Sequence, residues 1–100
     1  MFGLSERSYK ELLDILSSIP EIEETIIYGS RARGDYWAAS DIDLSLKGSK
    51  LTQHHLTKLN QKLYESHIPL FFDTHIYANI KNLRFKQNID RDGKTLYQRK

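Results

Sequence analysis

The sequence predicts an α/β (α+β) fold: a small mixed β-sheet of three to four strands with helices packed on it, in the order α-β-α-β-α-β-α. Segments with apolar residues at helical spacing alternate along the chain with short β-branched or alternating segments. Of the 100 residues, 39% are hydrophobic and 28% are charged, which is an ordinary globular composition. No repeat or low-complexity segment interrupts the pattern, so residues 1–100 are expected to form a single domain.

The first helix is predicted to begin after Ser5, whose side chain can cap it, and to stop at Pro20. Four apolar residues follow the cap at helical spacing: Leu12, Leu13, Leu16 and Ile19. The next segment, EETIIYG, is β-branched and aromatic, which predicts a strand that ends at Gly29.

A short helical turn is expected over residues 30–33, with Gly34 as its C-terminal glycine. The segment SDIDLSLKG then alternates strictly from Asp41 to Leu46, which predicts a strand with one polar and one apolar face. Because only a short elbow separates these two strands, we expect them to be antiparallel.

Thr52 can cap a third helix that runs to about residue 66, and LFFDTHIY after Pro69 predicts a third strand. A whole helix between the second and third strands favours a parallel pair joined by a right-handed crossover. A last helix is expected from a cap at Asn79 through Asp92, and KTLYQ can add a short edge strand.

Composition and charge exclude several classes of protein. No apolar run approaches the ~20 residues of a membrane span, and the N-terminus lacks the features of a signal peptide. The absence of cysteine excludes disulfides and thiolate metal sites. We therefore expect a cytoplasmic protein with no membrane partner.

The net charge of +2 is too small to indicate nucleic-acid binding, and a nucleic-acid partner is not expected. Residues 81–100 nevertheless hold seven Lys and Arg residues against two Asp. This basic segment could face an anionic partner, although a solvated helix face and a charged terminus are the simpler interpretation.

Asp41 and Asp43 are two residues apart on the predicted second strand, so both side chains leave the same face. Their Cα atoms would lie roughly 6.5–7 Å apart, from which both carboxylates can converge on one ion or bridge two. Oxygen ligands without cysteine favour Mg²⁺, or Mn²⁺, over zinc. The alternative is a solvated strand face with two unrelated aspartates.

Gly29 and Ser30 form an elbow where a strand opens into a helical turn. Such an elbow presents free backbone N–H groups that suit a phosphate, and glycine permits close approach. Arg31 or Arg33 could meet the phosphate charge. The pattern is neither a P-loop nor the dinucleotide G-x-G-x-x-G. Taken alone, it could be only a helix cap.

Asp73 interrupts the otherwise apolar start of the third strand, and an unpaired buried charge is expensive. If the third strand lies beside the second, this side chain can join Asp41 and Asp43. Otherwise it lies at an exposed strand end or pairs with a basic residue such as Arg33 or Lys47.

Taken together, GSRARGDYWAASDIDLSL and the later strand aspartate resemble the signature of the minimal nucleotidyltransferases of the DNA polymerase beta-like superfamily. The resemblance covers the length and element order of the chain and implies the nucleotidyltransferase fold. It implies that Asp41 and Asp43 bind two Mg²⁺ ions. It also implies that Asp73 binds one of these ions and helps to deprotonate an acceptor hydroxyl.

The same resemblance implies that Gly29 and Ser30 hold the β- and γ-phosphates of a nucleoside triphosphate, with ATP expected, and that Arg33 stabilises the triphosphate charge. The implied reaction is transfer of AMP to a hydroxyl. The implied partner is a small helical HEPN-domain protein, to which such enzymes serve as antitoxins.

Two alternatives remain open at this point. The chain could be a non-catalytic antitoxin that neutralises its partner by stoichiometric contact, or it could form a homodimer that encloses a small substrate. The basic segment 81–100 and the loop around Trp37 are the candidate contact surfaces. Trp37 could instead stack on the base, or lie over the small core as a lid.

Overall fold

The predicted order of helices and strands is confirmed, with KTLYQ as a fourth strand. The structure, a computed structural model, describes residues 1–100. The helices are α1 (Glu6–Ser17), α2 (Ser30–Arg33), α3 (Gln53–Tyr64) and α4 (Leu83–Asp92). The strands are β1 (Glu24–Tyr28), β2 (Ile42–Lys47), β3 (Phe72–Ile76) and β4 (Lys94–Gln98). No helix combines the length and the apolar character needed to cross a membrane.

The four strands form one mixed sheet in the order β3-β2-β1-β4. The antiparallel pairing of β1 with β2 and the parallel pairing of β2 with β3 are both as predicted. Helix α3 makes the crossover that the parallel pair requires. The end of β1 therefore meets the starts of β2 and β3 at the same edge of the sheet.

One face of the sheet is apolar and carries the core. It buries Ile27, Leu44 and Leu46 against the apolar faces of α1 and α3. The helices contribute Leu12, Leu16, Leu56, Leu59 and Leu63. Each side chain of this size stabilises the fold by about 1.5–3 kcal/mol when fully buried. This packing fixes the strands whose opposite face carries the polar residues.

Helix α4 covers part of the second face. The ring of Phe85 lies edge-on to Tyr28, with 5.7 Å between the ring centroids, and 5.3 Å from the ring of His75. Ile89, one turn further along, is almost fully buried.

The predicted cap of the last helix at Asn79 is wrong. Asn79 lies in a 3-10 turn (Tyr77–Asn79), and α4 begins four residues after the end of this turn. Its cap is Asn82, the third of the three residues between the turn and the helix, and Oδ1 of Asn82 accepts a hydrogen bond of 2.9 Å from the amide of Phe85. Both positions carry asparagine, a good capping residue, so only the path of the chain after β3 decides between them.

Candidate active site

Two of the three predicted carboxylates lie directly side by side. Asp43 and Asp73 are register partners in the parallel pair β2–β3, and such neighbours lie roughly 4.8 Å apart across the strands. Tyr28 is the register partner of Asp43 on the other side, in the antiparallel pair β1–β2. These three side chains therefore leave the same face of the sheet.

Asp41 immediately precedes β2 rather than lying within it, and its side chain is exposed. Asp73 is exposed as well, whereas Asp43 is partly buried. Asp73 thus lies at an exposed strand end, one of the alternatives that the sequence left open, and it lies beside Asp43 as well. Neither Arg33 nor Lys47 forms an ion pair with it.

The pKa of Asp43 reflects its partial burial and the negative charges near it. Burial raises the pKa of its carboxyl group above the ordinary value of 3.8, and the charges of Asp73 and Asp41 raise it further. The nearby guanidinium of Arg33 opposes this rise in the pKa. Negative charge is therefore concentrated at one point of the sheet edge and is only partly compensated.

The Gly29–Ser30 elbow lies against the carboxylate of Asp43. Gly29 has φ 73° and ψ −155°, a conformation that side chains disfavour, and a β-carbon built on it would collide with Oδ2 of Asp43. The amides of Ala32 and Arg33 both donate to the carbonyl oxygen of Gly29 at 3.1 Å. The amide of Gly29 itself has no hydrogen-bond partner within the chain. Glycine is thus needed here for the contact between elbow and carboxylate.

Arg33 is the last residue of α2 and lies beside this contact. Its side chain is 46% exposed and pairs with Asp35 at 3.2 Å and with Asp92 of α4 at 3.7 Å. The pair with Asp35 is exposed and the pair with Asp92 is long, so the guanidinium can turn toward a third anion, because exposed ion pairs are weak. Its position fits the predicted contact with a triphosphate.

An aromatic wall formed by Tyr28, His75 and Phe85 lies next to the carboxylates, and sequence reasoning missed Tyr28 and Phe85. The hydroxyl of Tyr28 is hydrogen-bonded to Nδ1 of His75 at 3.3 Å. Burial raises the pKa of Tyr28, and the charges of Asp43 and Asp73 add to this rise. Burial lowers the pKa of His75 below 6.5, so its imidazole is neutral at neutral pH. The strand alternation that places Tyr28 opposite Asp43 is the signal that could have found it.

The donor chemistry of the carboxylates fits a hard dication. No group of three or more acidic or histidine side chains is gathered closely enough to form a finished metal site. However, none of the three aspartates has a basic side chain within ion-pair distance, and their charges repel one another. Carboxylate oxygens with unbalanced charge are what Mg²⁺ prefers.

No cavity encloses the acidic edge, the part of the sheet edge that carries Asp41, Asp43 and Asp73. The largest, of about 410 Å³, lies between α3 and the start of β3 and is lined mainly by apolar residues such as Leu63 and Phe71. A second, of about 340 Å³, is lined by His75 and Phe85 together with the segment before α4. None of the cavities is lined by Asp41, Asp43 or Asp73. The carboxylates are therefore open to large molecules.

The sequence matches a known family over most of its length. The family described as "Polymerase beta, Nucleotidyltransferase" matches residues 10–100, a range that includes the elbow and all three aspartates. The chain belongs to this nucleotidyltransferase family. Membership confirms the predicted superfamily and the predicted fold. Among curated proteins, none matches the chain.

Solved structures share the nucleotidyltransferase fold. A chain of a toxin–antitoxin structure with AMP-PNP superposes with a TM-score of 0.74 at 20% identity, covering 92% of this chain and 74% of that one. The Shewanella oneidensis complex of a tri-AMPylated HEPN toxin with its MNT antitoxin gives 0.70 at 18%, covering 96% and 74%. An MntA–HepT toxin–antitoxin structure gives 0.68 at 18%, covering 95% and 74%. At such identities, the likeness shows the fold alone.

The candidate contact surfaces of this nucleotidyltransferase-family chain differ in character. Trp37 is 83% exposed, so the interpretation of this residue as a lid over the core is wrong. The basic segment 81–100 does not form one free cationic face. Arg91 pairs with Asp92 at 3.0 Å, and Arg99 is turned toward backbone carbonyls. The loop around Trp37, beside the acidic edge, is the more exposed of the two surfaces.

Proposed function

We propose that this chain is a metal-dependent nucleotidyltransferase that transfers AMP from ATP to a hydroxyl group on a HEPN-domain protein, and thereby acts as its antitoxin in the cytoplasm. Family membership supplies the class of reaction. The observation that carries the assignment of the site is the contact of Asp43 with the glycine elbow on one side and its register pairing with Asp73 on the other.

The similar structures support the choice of nucleotide and partner. One is a toxin–antitoxin structure with AMP-PNP, and another is a tri-AMPylated HEPN toxin in complex with an MNT antitoxin. Both share the fold of this chain, which makes ATP and a HEPN-domain protein the ligands to test first.

In this proposal the elbow binds the triphosphate. The free amide of Gly29 and the hydroxyl of Ser30 donate to the β- and γ-phosphates, as the resemblance implies. Arg33 exchanges its ion pairs with Asp35 and Asp92 for the phosphate charge. These donors hold the pyrophosphate end of ATP still, so that its α-phosphorus lies next to the carboxylates.

Asp41, Asp43 and Asp73 would hold the Mg²⁺ ions, which when bound activate the acceptor hydroxyl and neutralise charge on the departing pyrophosphate. Asp73 accepts the proton of the acceptor hydroxyl. The acceptor oxygen forms the new bond to the α-phosphorus, and the bond from that phosphorus to the bridging oxygen breaks. Pyrophosphate leaves with both bonding electrons, still held by the elbow.

The proposed acceptor is a folded protein because the acidic edge is open. A small acceptor must be enclosed to be held in a near-attack geometry, and no cavity of this chain includes the aspartates. A protein partner brings its own surface, of which a standard interface uses about 800 Å² per side. The exposed loop around Trp37 is positioned to contribute to that interface.

Binding of ATP is expected to depend on the metal. In isothermal titration calorimetry, the affinity for ATP should rise at least about tenfold when Mg²⁺ replaces EDTA, because three unpaired carboxylates otherwise repel the triphosphate. Asp14→Asn, which removes an exposed carboxylate on α1, is the control and should leave both affinities unchanged. Equal affinity for ATP in EDTA and in Mg²⁺ would contradict the proposed site.

The acceptor prediction can be tested with ATP labelled at the α-phosphate. The purified chain is incubated first with aminoglycosides and RNAs, and then with the HEPN-domain protein. Label is expected on a side chain of that protein alone, because only a macromolecular surface completes the open site. Efficient labelling of a small molecule or an RNA would contradict a protein acceptor. Tight binding of the HEPN-domain protein without labelling would instead favour the non-catalytic antitoxin.

A further inference from the structure

Arg31 is the one charged side chain in the buried interior, with 2% of its surface exposed. All three of its guanidinium nitrogens donate to backbone carbonyls. Nε donates to Ser40 at 3.1 Å, Nη2 to Ala38 at 3.2 Å and Nη1 to Phe2 at 2.9 Å. No carboxylate lies within ion-pair distance of it. The side chain thus joins its own helix α2 to two other backbone segments, the N-terminal segment and the loop of Ala38 and Ser40, and it pairs with no other charge.

Two further contacts enclose the guanidinium. It lies over the ring of Tyr36, 4.9 Å from the centroid, which adds a cation–π interaction. Gly3, at φ +76°, packs so closely that a β-carbon there would lie 2.7 Å from Nη1 of Arg31. The N-terminal segment and the loop after α2 therefore close around one side chain.

The positions that Arg31 connects are the two halves of the proposed site. It follows Ser30 of the elbow directly, and its carbonyl partner Ser40 directly precedes Asp41. Between these points the chain runs through residues 33–39, all of which are exposed. Apart from the ion pair of Arg33 with Asp92, the other contacts of this loop are local, between Ser40 and Trp37 and between Arg33 and Asp35.

We propose that Arg31 is a positioning residue that fixes Asp41 relative to the Gly29–Ser30 elbow, an inference that rests on the proposed nucleotidyl transfer. It does not bind phosphate, since its side chain is buried and each of its three guanidinium nitrogens donates to a carbonyl. Lysine cannot replace it, because one ammonium group cannot reach three carbonyls in different directions as a planar guanidinium does. Without these hydrogen bonds, the elbow and Asp41 are both still present, but the position of one relative to the other is less firmly fixed.

Arg31→Lys tests this inference, with Arg99→Lys as the matched control. Arg99 also donates to three backbone carbonyls, those of Ser17, Ile19 and Ile22, far from the elbow along the sheet. Both variants keep the charge and should lower the melting temperature. Only Arg31→Lys should change catalysis, which separates positioning from general stabilisation.

For Arg31→Lys we expect kcat to fall about 100-fold, because a misplacement of roughly 1 Å can have this effect. The KM for MgATP should change by less than about threefold, since the elbow that binds the phosphates is intact. In hydrogen–deuterium exchange without nucleotide, the peptide covering residues 36–43 should lose protection in Arg31→Lys and keep it in Arg99→Lys.

A folded Arg31→Lys with unchanged kcat, or with unchanged exchange in residues 36–43, would overturn the inference, as would an equal fall of kcat in Arg99→Lys. Absence of transfer by the wild-type chain would instead refute the proposed function, and the exchange experiment would still test the tie. If Arg31→Lys does not fold, Tyr36→Leu is the second variant. It should produce the same two changes to a smaller extent, and wild-type values of both would overturn the inference.

Discussion

Asp43→Asn should lower AMP transfer by roughly a thousandfold, since a metal-bearing carboxylate supports several kcal/mol of transition-state stabilisation and each 1.4 kcal/mol is about tenfold in rate. Asparagine keeps the size and one oxygen but offers no charge. Asp43 is the carboxylate that touches both the elbow glycine and the strand of Asp73, so no neighbour can replace it. Transfer is measured with α-labelled ATP under saturating Mg²⁺.

The same substitution should stabilise the fold in EDTA at neutral pH. Because the pKa of Asp43 is raised in the folded state, folding becomes less favourable as the pH rises from about 3.8 through the raised pKa. Above that window the ionised carboxylate destabilises the protein fully, and asparagine removes this effect. The advantage of the variant in melting temperature should therefore be present at pH 7 and vanish below about pH 4.

Added Mg²⁺ should stabilise the wild type and leave Asp43→Asn nearly unaffected, because a ligand that binds only the folded state raises its stability. The control is again Asp14→Asn, which removes one exposed carboxylate on α1 and should follow the wild type in EDTA and in Mg²⁺. Wild-type turnover by Asp43→Asn would exclude Asp43 from the reaction.

Gly29→Ala should abolish MgATP binding, and Gly34→Ala should not. Both glycines have positive φ, 73° and 94°, so alanine strains the backbone at each by about 1–3 kcal/mol. They differ in what the new methyl group meets. At Gly29 it collides with the carboxylate of Asp43, whereas at Gly34 no atom lies within 4 Å.

The comparison separates backbone strain from damage to the site. Melting temperatures should fall for both variants, and calorimetry with MgATP should show binding only for Gly34→Ala. A folded Gly29→Ala that binds MgATP like the wild type would show that the elbow is only a helix cap. Loss of binding in both variants would show that strain alone explains the result.

The proposed site could be predicted from the sequence largely because its signals are local. The glycine that ends β1, the short turn and the alternation through Asp43 each depend on a few adjacent residues, and the structure has them where they were expected. The parallel orientation of β2 and β3 was also predicted from the helix-long connection between them, but the register that pairs Asp43 with Asp73 was not. Their roles in binding and catalysis stay predictions.

The remaining features depend on contacts between distant segments. No residue near Arg31 in the sequence indicates that its side chain donates to the carbonyl of Phe2. The sequence alone therefore could not distinguish a buried, structural Arg31 from one that contacts phosphate. The bond between Tyr28 and His75 joins residues 47 positions apart. Similarly, the exposure of Asp73 depends on where β3 starts relative to the sheet edge.

The most direct test of nucleotidyl transfer compares ATP labelled at the α-phosphate with ATP labelled at the γ-phosphate, using the chain, Mg²⁺ and the HEPN-domain protein. If the elbow holds the pyrophosphate and the aspartates act at the α-phosphorus, the α-label stays on the partner and the γ-label leaves as pyrophosphate. Asp43→Asn should place neither label on the partner. Retention of the γ-label on the partner, or of neither label with the wild-type chain, would contradict the account.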